Sequence, residues 1–142
     1  MKIAIGADHG GFALKEYLKN YYKNQNIDFE DVGTFSEESC DYPLIADKLA
    51  ELVLQHKAEK GILICGTGIG ISIAANRHKG IRAALLYSRE AAILSREHND
   101  ANVAVFGART QNRDDVVAYL DCFLQTPFSQ GERHCRRIAE LG

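Results

Sequence analysis

The chain has 142 residues, a length that suits one domain, with 46% apolar and 25% charged residues, as an ordinary soluble globular protein with a real core would have. Its net charge of −2 supplies no general attraction for nucleic acid. No apolar run approaches the roughly 18 residues of a membrane span.

The chain begins MKIAIGADHGG, and residues 2–7 read as a first strand. The segment has no adequate apolar stretch or cleavage site for a signal peptide, so the expected location is cytoplasmic. Residues 12–24 read as a helix with Leu14, Leu18 and Tyr21 on one face. Residues 28–32 form a weaker strand. Pro43 suits the first turn of a second helix, which runs to about His56 with Ile45, Leu49, Leu52 and Val53 as its apolar stripe. Residues 61–65 (GILIC) form an apolar run suited to a central strand. A short helix follows over 69–76, then a strand over 83–87. Ser88 is a plausible N-cap, with Ala91 three residues on, for a helix to about His98. A fifth strand covers 103–106 and a helix covers 113–125, ended by Pro127. Residues 132–141 form a basic helical tail.

Five rounds of strand and helix predict an α/β protein, a three-layer α/β/α sandwich. Its five-stranded parallel sheet is Rossmann-like, with a C-terminal helical tail. Ligands of such sheets bind at the carboxyl ends of the strands. Asp8 and His9 lie at the end of strand one, among glycines, and read first as ligand contacts; the alternative is that Asp8 caps the next helix. Strand three ends at Cys65 and runs into Gly66-Thr67-Gly68-Ile69-Gly70, which opens a helix. Such N–H groups form a nest for an anion: a nucleotide phosphate, a sugar phosphate or a developing oxyanion.

The loop is not G-x-x-x-x-G-K-[ST], and its G-x-G-x-G spacing only approximates the dinucleotide fingerprint. Residues 66–89 contain no Asp or Glu for a ribose, so a nicotinamide cofactor is not expected. Cys65 reads as a structural cysteine or as a reactive one, since a helix N-terminus stabilises a thiolate. Ile71 stands where a phosphatase loop needs arginine, against a phosphocysteine mechanism. The other cysteines, Cys40, Cys122 and Cys135, form no C-x-x-C pair.

His98 and Asn99 end a helix and read first as a C-cap at the opposite sheet edge from Cys65. Arg109 follows strand five at the productive edge. Arg133 and Arg137 share a helical face, which suits a phosphate or a solvated basic tail.

Taken together, GADHGG at 6–11, DYP at 41–43, ICGTGIGISIAANR at 64–77, GIRA at 80–83, SREHNDANV at 95–103 and FGAR at 106–109 resemble type B ribose-5-phosphate isomerases. The family also holds allose-6-phosphate and galactose-6-phosphate isomerases, and the likeness covers essentially the whole chain. The resemblance implies one sugar-phosphate isomerase domain over 1–142, converting ribose 5-phosphate and ribulose 5-phosphate in the non-oxidative pentose phosphate branch. It implies no metal or organic cofactor, and a homodimer, sometimes a tetramer, with sites shared between subunits.

By resemblance, Cys65 is the base and residues 66–70 the anion hole. Thr67 and His98 open the furanose ring, and Asp8, His9, Tyr42 and Asn99 contact the sugar. Arg109, Arg133 and Arg137 hold the phosphate, the tail arginines from the neighbouring subunit. Some members instead place a glutamate base in the glycine-loop helix and serine at the cysteine position. Here Ala74 and Ala75 occupy that region, which leaves Cys65 as the base. A hexose phosphate isomerase and a non-catalytic sugar-phosphate sensor are the rival readings. Retention of Cys65, Thr67 and His98 speaks against the sensor.

Overall fold

The computed structural model describes all 142 residues. Its strands are β1 (Lys2–Ala7), β2 (Asp28–Asp31), β3 (Lys60–Cys65), β4 (Ala83–Leu85) and β5 (Val103–Gly107). Its helices are α1 (Phe12–Tyr22), α2 (Tyr42–Leu54), α3 (Ile69–Asn76), α4 (Arg89–Glu97), α5 (Arg113–Gln125) and α6 (Glu132–Leu141). All strand pairs are parallel, in the order β2-β1-β3-β5-β4. The chain winds outward from β1 to β2, then returns to lay β3 on the other side of β1. The crevice between the carboxyl ends of β1 and β3 is therefore the topological switch point, where open sheets bind ligands.

Alternate residues of each central strand feed two separate cores, as a period of two requires. Ile3, Ile5, Ile62, Ile64, Ala104 and Phe106 pack with Leu14 and Leu18 of α1 and Val116, Leu120 and Phe123 of α5. Ala4, Leu63, Cys65, Val103 and Val105 pack with Ile45, Leu49 and Val53 of α2 and with Ile71 and Ala75 of α3. The sandwich predicted from the alternation of elements is the one observed.

Local signals explain most boundaries. Pro43 lies in the first turn of α2. Ser88 caps α4 by accepting the Ala91 N–H at 2.9 Å. Asn112 caps α5 by accepting the Asp115 N–H at 2.8 Å. Leu52 sits at the margin of the α2 stripe, only half-buried.

Helix α1 departs from the expected stripe. Tyr21 is exposed, and Tyr22, one position on, is buried and donates its hydroxyl to Asp121 at 2.6 Å. The step from Leu14 and Leu18 to Tyr22 keeps the i+4 rhythm that Tyr21 breaks. Lys15 is also fully buried. Its ammonium meets both Asp31 oxygens, at 2.8 and 2.6 Å, and lies 5.3 and 5.0 Å from the centres of the Phe12 and Phe35 rings. Lys19 adds a third contact to Asp31 at 2.8 Å, and the Gly33 N–H a fourth, also at 2.8 Å. This cluster ties α1, β2 and the segment leading to α2 into one unit.

Candidate active site

The residues following β1, β3 and β5 converge as the sheet rule requires. Cys65 is the last residue of β3 and is 4% exposed. Its sulfur accepts the Gly68 N–H at 3.1 Å. Gly68 has φ +79°, a left-handed turn that suits glycine and swings its N–H back onto the sulfur. The Gly70 and Ile71 N–H groups, in the first turn of α3, have no acceptor within the chain. Thr67 is exposed, and its Oγ1 accepts the Ile69 N–H at 3.2 Å. The loop thus presents a nearly buried thiol beside uncommitted donors at the positive end of a helix.

Parallel pairing of β3 with β5 continues into this loop. The Ala108 N–H donates to the Cys65 carbonyl at 2.9 Å, and the Arg109 N–H to the Gly66 carbonyl at 2.8 Å. Gly107 permits that approach: a Cβ there would stand 2.5 Å from the Thr67 carbonyl carbon and oxygen. The Arg109 guanidinium lies across the loop, 3.2 Å from where a Gly66 Cβ would be and 3.5 Å from where a Gly10 Cβ would be. The Tyr42 ring, at the start of α2, lies against Gly70, whose Cβ would stand 2.7 Å from Tyr42 Cζ.

Asp8 does cap the turn His9–Gly11. Its Oδ1 accepts the Gly10 and Gly11 N–H groups at 2.9 and 3.2 Å, and Oδ2 takes no protein hydrogen bond. His9 Nδ1 accepts the Cys40 N–H at 3.2 Å, so a neutral ring carries its proton on Nε2. Asp8, His9, Tyr42, Cys65, Gly66, Thr67, Gly68, Ile69, Gly70 and Arg109 therefore gather at one edge of the sheet.

The remaining predicted residues do not join them within this chain. The His98 N–H donates to the Leu94 carbonyl at 2.9 Å, so the C-cap reading holds. Asn99 lies beside the start of β4, its carbonyl accepting from Arg82 Nε at 3.0 Å. Arg133 and Arg137 are exposed on α6. This second group occupies the amino-terminal edge of the sheet, away from Cys65. A cavity of about 710 Å³ opens there between the end of α3, the start of β4, Asn99 and Leu141, with Arg77, Lys79 and Arg82 on its wall. It holds no predicted base.

Two buried groups of this second edge escape the sequence reading. Arg96, 7% exposed, donates to the Thr126 and Ala101 carbonyls at 3.0 and 2.7 Å and to Asp100 at 2.8 Å. His134 stacks on His98 with ring centres 4.3 Å apart and planes inclined by 16°. A histidine between arginines four apart carries some signal, but the basic run around it reads as solvated. No group of three or more His, Cys, Asp or Glu side chains converges as metal ligands would. No helix is long and apolar enough to cross a membrane.

A doubly wound parallel sheet, with a thiol and an amide nest at its switch point, defines an α/β protein whose strand ends suit a small anionic ligand. A family model described as Ribose/Galactose Isomerase matches residues 3–141, and the chain belongs to that family of isomerases. Ribose-5-phosphate isomerase B of Escherichia coli is 42% identical over 140 residues, covering 99% of this chain and 93% of that one. A crystal structure of a ribose 5-phosphate isomerase from Thermotoga maritima superposes with a TM-score of 0.96 at 50% identity, covering 99% of this chain and 96% of that one. Ribose-5-phosphate isomerase B of Clostridium thermocellum gives a TM-score of 0.97 at 44% identity, covering 100% and 95%.

Proposed function

We propose that residues 1–142 work as one sugar-phosphate isomerase domain that interconverts D-ribose 5-phosphate and D-ribulose 5-phosphate through an enediolate. The observation that carries this reading is the Cys65 sulfur, 3.1 Å from the Gly68 N–H, beside the free donors of Gly70 and Ile71. A proton on carbon next to a carbonyl is a very weak acid. Its removal needs a base against the carbon and donors where charge arrives on oxygen. A positioned base contributes roughly 10²–10⁴-fold, and each oxyanion donor roughly 10²–10³-fold.

In this mechanism the Cys65 thiolate takes the C2 proton of the open-chain aldose. The electron pair moves through C2–C1 onto O1, where the amide nest meets it. The proton returns at C1, the O2 proton passes to O1 as C2–O2 becomes the carbonyl, and the ketose forms with no external electron carrier. Thr67 and His98 serve the earlier opening of the furanose ring. Asp8 through its free Oδ2, His9 through Nε2–H, Tyr42 and Asn99 orient the sugar. Arg109, Arg133 and Arg137 hold the phosphate.

Two half-sites on opposite sheet edges become one if two copies pair about a two-fold axis. Helix α3 runs between these edges and carries exposed Ile69 and Ile73. Antiparallel pairing along it sets Cys65 of one subunit opposite His98, Asn99 and the tail arginines of its partner. The dimer covers that apolar face and completes each site.

Ribose 5-phosphate, allose 6-phosphate and galactose 6-phosphate, each followed for ketose formation without added metal, test the assignment. Turnover of the pentose phosphate above the hexoses is expected; turnover of a hexose phosphate alone, or of none, contradicts it. In the same assay Arg137→Ala should weaken kcat/KM for ribose 5-phosphate about 10–100-fold, the size of a lost charge-assisted hydrogen bond. Free ribose should lose much less, and equal losses on both would remove the arginine from the phosphate site.

A further inference from the structure

Helix α6 meets the end of α4 through contacts on the two residues preceding His98. Ser129 donates its hydroxyl and its N–H to the Glu97 carbonyl at 2.5 and 3.3 Å. Arg96 Nε donates to the Thr126 carbonyl at 3.0 Å. These bonds bring the His134 ring flat against His98, with centres 4.3 Å apart. Gly131 lies close to the same ring: a Cβ there would stand 3.1 Å from His134 Cδ2. His134 is 9% exposed, whereas its neighbours Arg133 and Arg137 face solvent.

A histidine at a helix C-cap ordinarily samples several ring orientations. Here the parallel stack leaves one plane. Orientation of this kind matters to rate, because displacement of a reacting group by about 1 Å can cost on the order of 10²-fold. The environment also disfavours a charge on the His134 ring. Loss of water lowers the His134 pKa below its ordinary value, and facing His98, Arg133 and Arg137 push it the same way. A neutral His134 can lie face to face with His98 without opposing charge on it.

We propose that His134 is a positioning residue: stacked on His98 and held close to Gly131, its imidazole fixes the plane from which His98 serves the substrate's ring oxygen. The inference rests on the reading of His98 as a ring-opening group. It adds a residue whose contribution passes wholly through His98.

The test is kcat and KM for ribose 5-phosphate in His134→Ala, His134→Phe, His98→Asn and the double variant His98→Asn with His134→Ala. His134→Ala should lower kcat about 10–100-fold, the range set by misorientation, with KM within about twofold. His134→Phe keeps a flat ring in the stack and should recover kcat to within about threefold of the native enzyme. In the His98→Asn background, His134→Ala should have no further effect, since residues acting in series are non-additive.

A loss confined to KM would overturn the proposal, making His134 a docking contact for α6 alone. A Phe variant as slow as the Ala variant would also overturn it. So would a full additional loss in the His98→Asn background, and in that case the reading of His98 would stand. If His98→Asn itself turns over normally, the ring-opening assignment falls and takes the positioning role with it.

Discussion

Cys65→Ala should fold like the native protein and isomerise ribose 5-phosphate on the order of 10²–10⁴-fold more slowly. The sulfur sits at the rim of the core formed with α2 and α3, so its loss removes one small contact rather than opening a large void. What disappears is the only side chain at the end of β3 able to take a proton from carbon. Ala74 and Ala75 offer no acid in its place. Cys65→Ser sharpens the result. A hydroxyl can accept the Gly68 N–H as the sulfur does, but it does not ionise near neutral pH without a strong partner base. Serine should therefore keep the geometry and lose nearly as much activity as alanine. Turnover is read together with thermal unfolding. A native-like melting curve with near-native turnover would remove Cys65 from the chemistry.

The largest effect on stability should come from Asp31→Ala. Lys15 is fully buried, and Asp31 is its bidentate partner at 2.8 and 2.6 Å. Breaking a buried pair by removing one member typically costs about 3–5 kcal/mol, because the remaining charge is stranded. Glu16, 3.5 Å from the Lys15 ammonium and partly exposed, offers some compensation. The expected loss is thus about 3 kcal/mol, at the low end of that range. It should appear as a lower urea midpoint with an unchanged slope. Lys15→Met removes the charge but keeps an apolar stem, leaves Asp31 to Lys19 and water, and should cost less. A loss below about 1 kcal/mol in Asp31→Ala would show that Lys15 finds water or Glu16 instead.

The same cluster has a pH signature. Burial alone would raise the Asp31 pKa, but hydrogen bonds from Lys15, Lys19 and the Gly33 N–H outweigh it and hold the carboxyl below its ordinary value of 3.8. The folded state therefore binds a proton at Asp31 less readily than the unfolded chain does. Its stabilising contribution is complete above pH 3.8 and is lost as the pH falls below that value. Asp31→Ala should flatten that part of the stability profile.

The fold was legible because its signals are local and repeated. Apolar runs such as Ile3–Ile5 and Ile62–Ile64 have helical patterns on either side, and Pro43 and Ser88 mark helix starts. The switch-point cluster was legible for the same reason: once Cys65 ends a parallel strand, topology places it beside Asp8, His9 and Arg109. Long-range pairing was not visible. Nothing near Lys15 announces Asp31, sixteen positions later, so no local signal marks that lysine as buried. Tyr21 and Tyr22 differ by one position on α1, and only the packing chooses between them. His134 hid in a basic run because its partner is a ring thirty-six positions earlier. The separation of Cys65 from His98 was legible in outline, since a helix C-terminus lies opposite the strand ends, but the proposed closing of that gap calls on a second subunit.

That requirement is what mixing two crippled enzymes tests most directly. Cys65→Ala and His98→Asn homodimers, each far below native activity, are unfolded together in equal amounts and refolded. Random pairing makes half the dimers hybrids, each with one doubly damaged site and one intact site, so activity should return to about a quarter of the native level. Recovery near that level is the predicted result. Mixtures no more active than the separate variants, with hybrids demonstrably formed, would contradict a site built from opposite edges of two chains.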